Sequence, residues 1–132
     1  MRLLLDTHTF LWFIQGNESL STSARPLIEN ATHQKLVSIA SLREIANKVS
    51  IGKLEVKIPM TELVEKQVIG NTFDLLSITP EHLNELAGLP FHHKDPFDRL
   101  LISQSKVENM PIISRDKAFA DYSVQVIWEK TL

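Results

Sequence analysis

Apolar positions fall along this chain in short runs that alternate with longer stretches of helical periodicity. Arg2 to Leu5 reads as a short buried strand that stops at Asp6, and Thr7 to Gln15 then has helical character up to Gly16. A second helix falls within Ser21 to Ala31, where Pro26 must lie in the first turn or kink it. Lys35 to Ser38 is a second strand. After it Ile39, Leu42, Ile45, Ala46 and Val49 recur at helical spacing until Gly52. Thr61 to Ile69 is a further amphipathic stretch closed by Gly70-Asn71, and Phe73 to Ile78 has the branched, apolar character of a third strand.

The second half repeats the alternation with sharper punctuation. Thr79 is placed to cap a helix that starts at Pro80, with Leu83, Leu86 and Ala87 as its expected inner face. Asp95-Pro96 repeats the cap-plus-proline signal and opens a longer helix to Asn109, carried by Phe97, Leu100, Leu101 and Val107. Pro111 to Ile113 and Val124 to Trp128 read as two last short strands. Strands alternating with helices, without a hairpin signal between apolar runs, predict an α/β fold with a parallel sheet covered by helices on both faces. No repeat, low-complexity tract or linker interrupts it, so residues 1–132 are expected to form one domain.

Composition narrows the chemistry. With 132 residues, 43% of them apolar, the chain has enough material for a real core. The absence of cysteine excludes disulfides and thiolate-bound zinc, so any metal must be held by carboxylate, imidazole, carbonyl or water. The run Leu3 to Leu5 is too short for the core of a signal peptide and no later stretch approaches a membrane span, so a cytoplasmic protein is expected. Fourteen Lys and Arg against sixteen Asp and Glu do not make the broadly basic surface of a typical nucleic-acid binder. That balance suits such a role only if several acids are sequestered around a cation, leaving the basic residues to act locally.

Four acids are placed for that. Asp6 follows the first strand, Glu44 lies in the opening turns of the helix after the second, Asp98 sits in the first turn of its helix, and Asp116 comes just beyond the strand ending near Ser114. In a parallel sheet the carboxyl ends of all strands share one edge, where helix N-termini also point, so these residues share one rim. Carboxylates crowded together raise one another's pKa, and a divalent cation reverses that penalty. Oxygen ligands suit Mg²⁺ or Mn²⁺, ions that activate water and stabilise charge developing on a phosphodiester. Each acid also has an ordinary structural explanation. Asp6 and Asp116 can cap the helices that follow them, Glu44 can pair with Lys48, and Asp98 can simply favour the helix dipole.

The same segments carry a family likeness. The opening Leu3-Leu4-Leu5-Asp6-Thr7-His8, the segment Ser38 to Ile45, the run His93-Lys94-Asp95-Pro96-Phe97-Asp98-Arg99 through Ile102, and Ile112 to Asp116 together resemble the PIN-domain family, in order and spacing most like the VapC toxins of bacterial type II toxin–antitoxin modules. The resemblance implies a parallel sheet flanked by helices, Mg²⁺- or Mn²⁺-dependent endoribonuclease activity on RNA, and a cognate protein antitoxin. It implies Asp6, Glu44 and Asp98 as core metal ligands and catalytic acids, with Asp116 as the fourth, more peripheral one. Ser114 matches a position where the family has Ser or Thr, whose hydroxyl can orient a carboxylate. Arg43 departs from the family, which often has a larger residue, commonly Trp, before this Glu.

Other residues offer competing chemistry. His92 and His93 beside Asp95 raise a transition-metal site, but neighbouring histidines diverge and no third ligand at a helical offset completes the set, so a loop that contacts RNA or caps the next helix is the better expectation. Asp95 is expected to be an N-cap. Lys94, Arg99, Arg115 and Lys117 are candidate phosphate contacts or ordinary solvated charges. The run Phe10 to Ile14 has more apolar surface than one inward stripe needs, which points to a homodimer interface, a groove for an antitoxin helix, or a helix buried between neighbours. A phospho-acceptor signalling domain is a rival, yet it needs an acid pair after the first strand and a Lys directly after the last. A catalytically inactive scaffold of the same shape is another.

Overall fold

The computed structural model describes residues 1–128. Five strands form one sheet in the order β3-β2-β1-β4-β5: β1 (Arg2–Leu5), β2 (Gln34–Ser38), β3 (Asp74–Leu76), β4 (Ile112–Ile113) and β5 (Val126–Ile127). Every neighbouring pair is parallel, with Leu5 opposite both Val37 and Ile113. The strand alternation divides the core. Leu3, Leu5, Val37 and Ile113 face one cluster with Phe10, Ile28, Ile45 and Phe73, while Leu4, Leu36 and Ile112 face another with Leu101, Ile102 and Phe119. Both faces are therefore covered, which is why the strands read as unbroken apolar runs.

The first face is covered by α1 (Thr7–Gln15), α2 (Ala24–Glu29), α3 (Ile39–Ser50) and α4 (Met60–Leu63). Gly16 ends α1 with φ of 63°, a left-handed cap that glycine adopts without strain. The helix expected over Thr61 to Ile69 changes character halfway, because α4 passes into a π-helical segment, Val64–Ile69, whose wider turn is closed by the Gly70 N–H donating to Glu65 O at 3.0 Å. The third strand is also shorter than Phe73 to Ile78, since only Asp74 to Leu76 find partners on β2.

The second face is covered by α5 (Pro80–Ala87), α6 (Pro96–Glu108) and a 3₁₀ turn, Lys117–Tyr122. Thr79 caps α5 as expected, but the inner face differs. Leu83 is 50% exposed and Ala87 is exposed, whereas His82 is fully buried: its Nδ1 accepts from the Thr79 N–H and its Nε2 lies 2.9 Å from Glu108 Oε2. A polar ring satisfied on both sides takes the place that the apolar count assigned to leucine. Val107, expected inside α6, is 39% exposed for a related reason, as the inward stripe there runs through Ser103, Gln104 and Ser105. No helix among the described residues is long and apolar enough to cross a membrane.

Candidate active site

The strand order reverses at β1. From there the chain proceeds to β2 and β3 on one side and to β4 and β5 on the other, so the segments leaving β1 and β4 diverge and leave a crevice at the carboxyl edge. Asp6 stands at that point. Its Oδ1 accepts from the Thr9 N–H at 2.9 Å, which caps α1, and its Oδ2 accepts from Ser114 Oγ at 2.6 Å, which ties β1 to β4. The capping expectation is therefore met by one oxygen, while the other ties the two central strands together. Burial raises the Asp6 pKa, and the hydrogen bonds from Ser114 and Thr9 work against it.

Ser114 orients more than Asp6. Its hydroxyl also accepts from the Asp116 N–H at 3.0 Å, fixing the backbone just before the 3₁₀ turn that Asp116 caps through its Oδ1 and the Ala118 N–H. Glu44 is brought to the rim by α3. It is 4% exposed; its Oε2 pairs with Lys48 Nζ at 2.9 Å, and its buried Oε1 has no hydrogen-bond partner among the described residues. The ion pair expected as an alternative to a site role exists, yet it leaves half the carboxylate unsatisfied. Thr7 Oγ1 donates to Ser41 Oγ at 3.0 Å, holding α1 against α3 beside these two acids.

Asp98 completes the set. Asp95 is the cap of α6, with its Oδ1 accepting from the Phe97 and Asp98 N–H groups at 2.8 and 3.0 Å, which leaves the Asp98 carboxylate free of that duty. The Asp98 pKa is pushed up to about 8, by burial first and then by the charges of Asp95, Asp6, Glu44 and Asp116. Asp98 thus feels the charges of the other three acids singled out in the sequence, and of these only Asp116 shares with it, and with His93, a cluster of ligand atoms within 4.8 Å among the described residues. The buried, unpartnered Glu44 oxygen and the all-carboxylate donor set fit a hard divalent cation, which would neutralise what the protein leaves uncompensated.

Arg99 departs from its expected role, and His93 gains partners that helical spacing did not offer. His93 does meet a third group: its Nε2 lies 3.0 Å from Asp116 Oδ2 and 3.2 Å from Asp98 Oδ2, so ligand atoms of His93, Asp98 and Asp116 lie within 4.8 Å of one another. Helical offsets could not reveal this, because the contact joins a loop, a helix start and a 3₁₀ turn. His92 diverges as expected and packs on Tyr122. Arg99 is neither a phosphate contact nor a solvated charge. It is 6% exposed, and its guanidinium donates to Pro90 O at 2.8 Å and Leu89 O at 3.1 Å, clamping the loop that carries His93.

Beside the acids, Asp6, His8, Trp12, Arg115 and Asp116 line a cleft of about 280 Å³. Arg115 lies over the Trp12 ring at 6.0 Å, and Arg115, Lys117 and Lys94 are exposed. Trp12 and Phe13 are only half-buried, packed on Trp128 and Phe73 respectively.

The architecture is shared with solved structures. A chain of VapBC2 from Rickettsia felis, crystallised bound to a DNA fragment from their promoter, superposes with a TM-score of 0.72 at 14% identity, covering 98% of this chain and 100% of that one. A chain of FitAB bound to the IR36 DNA fragment gives 0.68 at 17% identity over 95% and 93%, and one from a toxin–antitoxin complex of Klebsiella pneumoniae gives 0.65 at 16% over 95% of each. At these identities the likeness is one of fold. No curated protein matches the chain. The model of the PIN domain family matches residues 3–125, a span that contains every acid of the crevice, and the chain belongs to that family.

Proposed function

We propose that this PIN domain is a metal-dependent endoribonuclease, acting as one nuclease domain over its 132 residues and serving as the toxin of a toxin–antitoxin pair. The observation that carries the reading is the crowding at the rim, where the charges of Asp95, Asp6, Glu44 and Asp116 add to burial in raising the Asp98 pKa and one buried Glu44 oxygen is left without a partner among the described residues. Structural cohesion does not call for that arrangement, whereas a divalent cation and a phosphodiester do.

Asp6, Glu44, Asp98 and Asp116 are the residues that would hold Mg²⁺ or Mn²⁺. When bound, the ion supplies a more acidic water and stabilisation of charge developing on phosphate oxygens. The chain supplies the rest. Thr9 and Ser114 fix both oxygens of Asp6, Lys48 fixes one oxygen of Glu44 and leaves the other open, and Arg115 and Lys117 stand exposed beside Asp116 to grip the RNA backbone. Hydrolysis adds water at phosphorus and breaks one P–O bond to the leaving oxygen, so the site has only to align water with a held phosphate. The Trp12 ring and Arg115 in the adjoining cleft suit a nucleotide better than a phospho-acceptor reaction does.

A toxin role is supported by the fold relatives, one of which comes from a toxin–antitoxin complex. The reading therefore includes a protein antitoxin that covers the rim, a homodimer using the half-buried Trp12 and Phe13 face, and a cytoplasmic setting. Labelled RNA incubated with Mn²⁺, Mg²⁺ or EDTA tests the core of it. Cleavage is expected with either metal and none with EDTA or in Asp6→Asn, which should keep its fold. Full cleavage by Asp6→Asn removes the assigned site, and RNA left intact under every condition returns the inactive-scaffold reading. Growth arrest on expression, relieved by the protein encoded beside it, tests the toxin role. Sedimentation of wild type and Trp12→Glu tests the dimer.

A further inference from the structure

His93 is the one imidazole that reaches the acidic rim at hydrogen-bonding distance, and its surroundings fix what that imidazole can do. The Asp95 backbone N–H points at His93 Nδ1 from 3.1 Å. A backbone amide can only donate, so Nδ1 must present its lone pair, and in the neutral ring the hydrogen then resides on Nε2. That hydrogen bonds to Asp116 Oδ2 at 3.0 Å, and Asp98 Oδ2 lies beside the same nitrogen at 3.2 Å. A metal ligand needs the opposite arrangement, with a lone pair at Nε2 and Nδ1–H donating to an acceptor.

The ring is also held in place at some expense. The His93 N–H donates to Tyr122 Oη at 2.6 Å, Arg99 binds the carbonyls of Leu89 and Pro90 a few residues earlier, and Phe119 packs on the ring at 5.8 Å. A buried arginine and a buried tyrosine thus fasten a loop that delivers a single N–H to the rim.

We infer that His93 is a positioning residue, not a metal ligand: its Nε2–H bonds the Asp116 carboxylate, lies against that of Asp98, and sets the separation from which the two receive a divalent cation. The inference rests on the metal-dependent reading above. It assigns to His93 a geometric selectivity for both carboxylates together, since neither α6 nor the 3₁₀ turn alone sets the distance between them. Because a hydrogen-bond donor acts on the carboxylates and not on the ion, its loss should weaken Mg²⁺ and Mn²⁺ alike, whereas loss of a nitrogen ligand would weaken Mn²⁺ far more.

Three measurements test this. Two-bond ¹H–¹⁵N spectra of metal-free protein labelled at histidine should show His93, assigned by its absence in His93→Gln, as the Nε2–H tautomer. Pulsed electron paramagnetic resonance of the Mn²⁺-loaded protein should show no directly coordinated nitrogen. Calorimetric titrations should show both metals bound about tenfold or more weakly by His93→Ala, the usual loss when a partner of a liganding carboxylate is removed, with partial recovery in His93→Gln, whose amide can still donate. A nitrogen coupling that disappears in His93→Ala, a loss confined to Mn²⁺, or unchanged affinities would each overturn the inference. If Asp6→Asn loses metal while His93→Ala does not, this inference fails alone; if wild type binds neither ion, the proposed function fails with it. The spectra of the unaltered protein decide the matter even if a variant does not fold.

Discussion

The two ends of α6 each set a carboxylate beside a histidine, and they treat it in opposite ways. At the start, Asp98 faces His93 and feels four further acids in a largely buried setting, and its pKa is driven up to about 8. At the end, Glu108 faces His82 at 2.9 Å and Arg2 at 3.3 Å, and its pKa is lowered, chiefly by the hydrogen bond from His82. The helix dipole would do the reverse, favouring an anion at the N-terminus and penalising one at the C-terminus. Partners override the dipole at both ends. At the Glu108 end the counter-charge is built in, whereas at the Asp98 end burial and like charges prevail, as the proposed cation site requires.

The largest effect should come from breaking the uncompensated end. Asp98→Ala is expected to reduce RNA cleavage by on the order of 10²-fold or more, since a lost ligand misplaces the ion and its water, while the metal-free thermal midpoint stays the same or rises. Retained cleavage with a lowered midpoint would mean that Asp98 is structural after all.

Next comes the opposite response of the two ends to pH. Asp98 binds its proton more tightly folded than unfolded, so the metal-free protein loses stability as pH rises from about 4, the ordinary carboxylate value, to about 8. Asp6, also raised, adds to the same trend. Glu108 is lowered, so its contribution is present above the ordinary glutamate value and disappears as pH falls through the folded one. Thermal melts in EDTA should show Asp98→Asn flattening the alkaline limb and Glu108→Gln flattening the acidic limb. A shared limb for both variants would abolish the contrast.

A smaller effect separates the two acids of the α6 start. Asp95→Ala should cost about 1 kcal/mol, the usual price of an N-cap, with cleavage largely kept because the backbone N–H that orients His93 remains. Smallest of all, Glu108→Gln at neutral pH should lower stability by about 1 kcal/mol or less and leave metal affinity unchanged, because the amide can still contact His82 and the Arg2 pair is partly exposed. Metal binding that weakened in Glu108→Gln would show the two ends to be coupled.

The crevice was legible in the sequence because strand-end acids report their own location. Asp6 directly follows an apolar strand and Asp116 comes three residues after another, while Asp95-Pro96 fixes the phase of α6 so that Asp98 is left free of the capping duty. What escaped was everything that depends on side chains crossing between elements. Leu83 looked more apolar than His82, but burial went to the histidine because Thr79 and Glu108 satisfy it from both sides. Arg99 resembled a surface charge because nothing local shows that two carbonyls of a preceding loop will turn toward it. For His93 there was one faint cue, a histidine two residues before an N-cap aspartate, placed so that its ring can accept from the cap's own N–H.

Five consecutive residues, Asp95 to Arg99, include the helix cap, the proline that starts the helix, a ligand candidate and the clamp on the preceding loop. Each duty depends on a different direction around the helix axis, and one added or deleted residue rotates everything beyond it by about 100°. Point substitutions here can be repaired one at a time, whereas a change of length would separate cap, ligand and clamp in a single step. Over evolutionary drift this stretch should therefore tolerate side-chain replacement at Phe97 far more readily than any insertion, and a library of single-codon insertions should find its sharpest intolerance between Asp95 and Arg99.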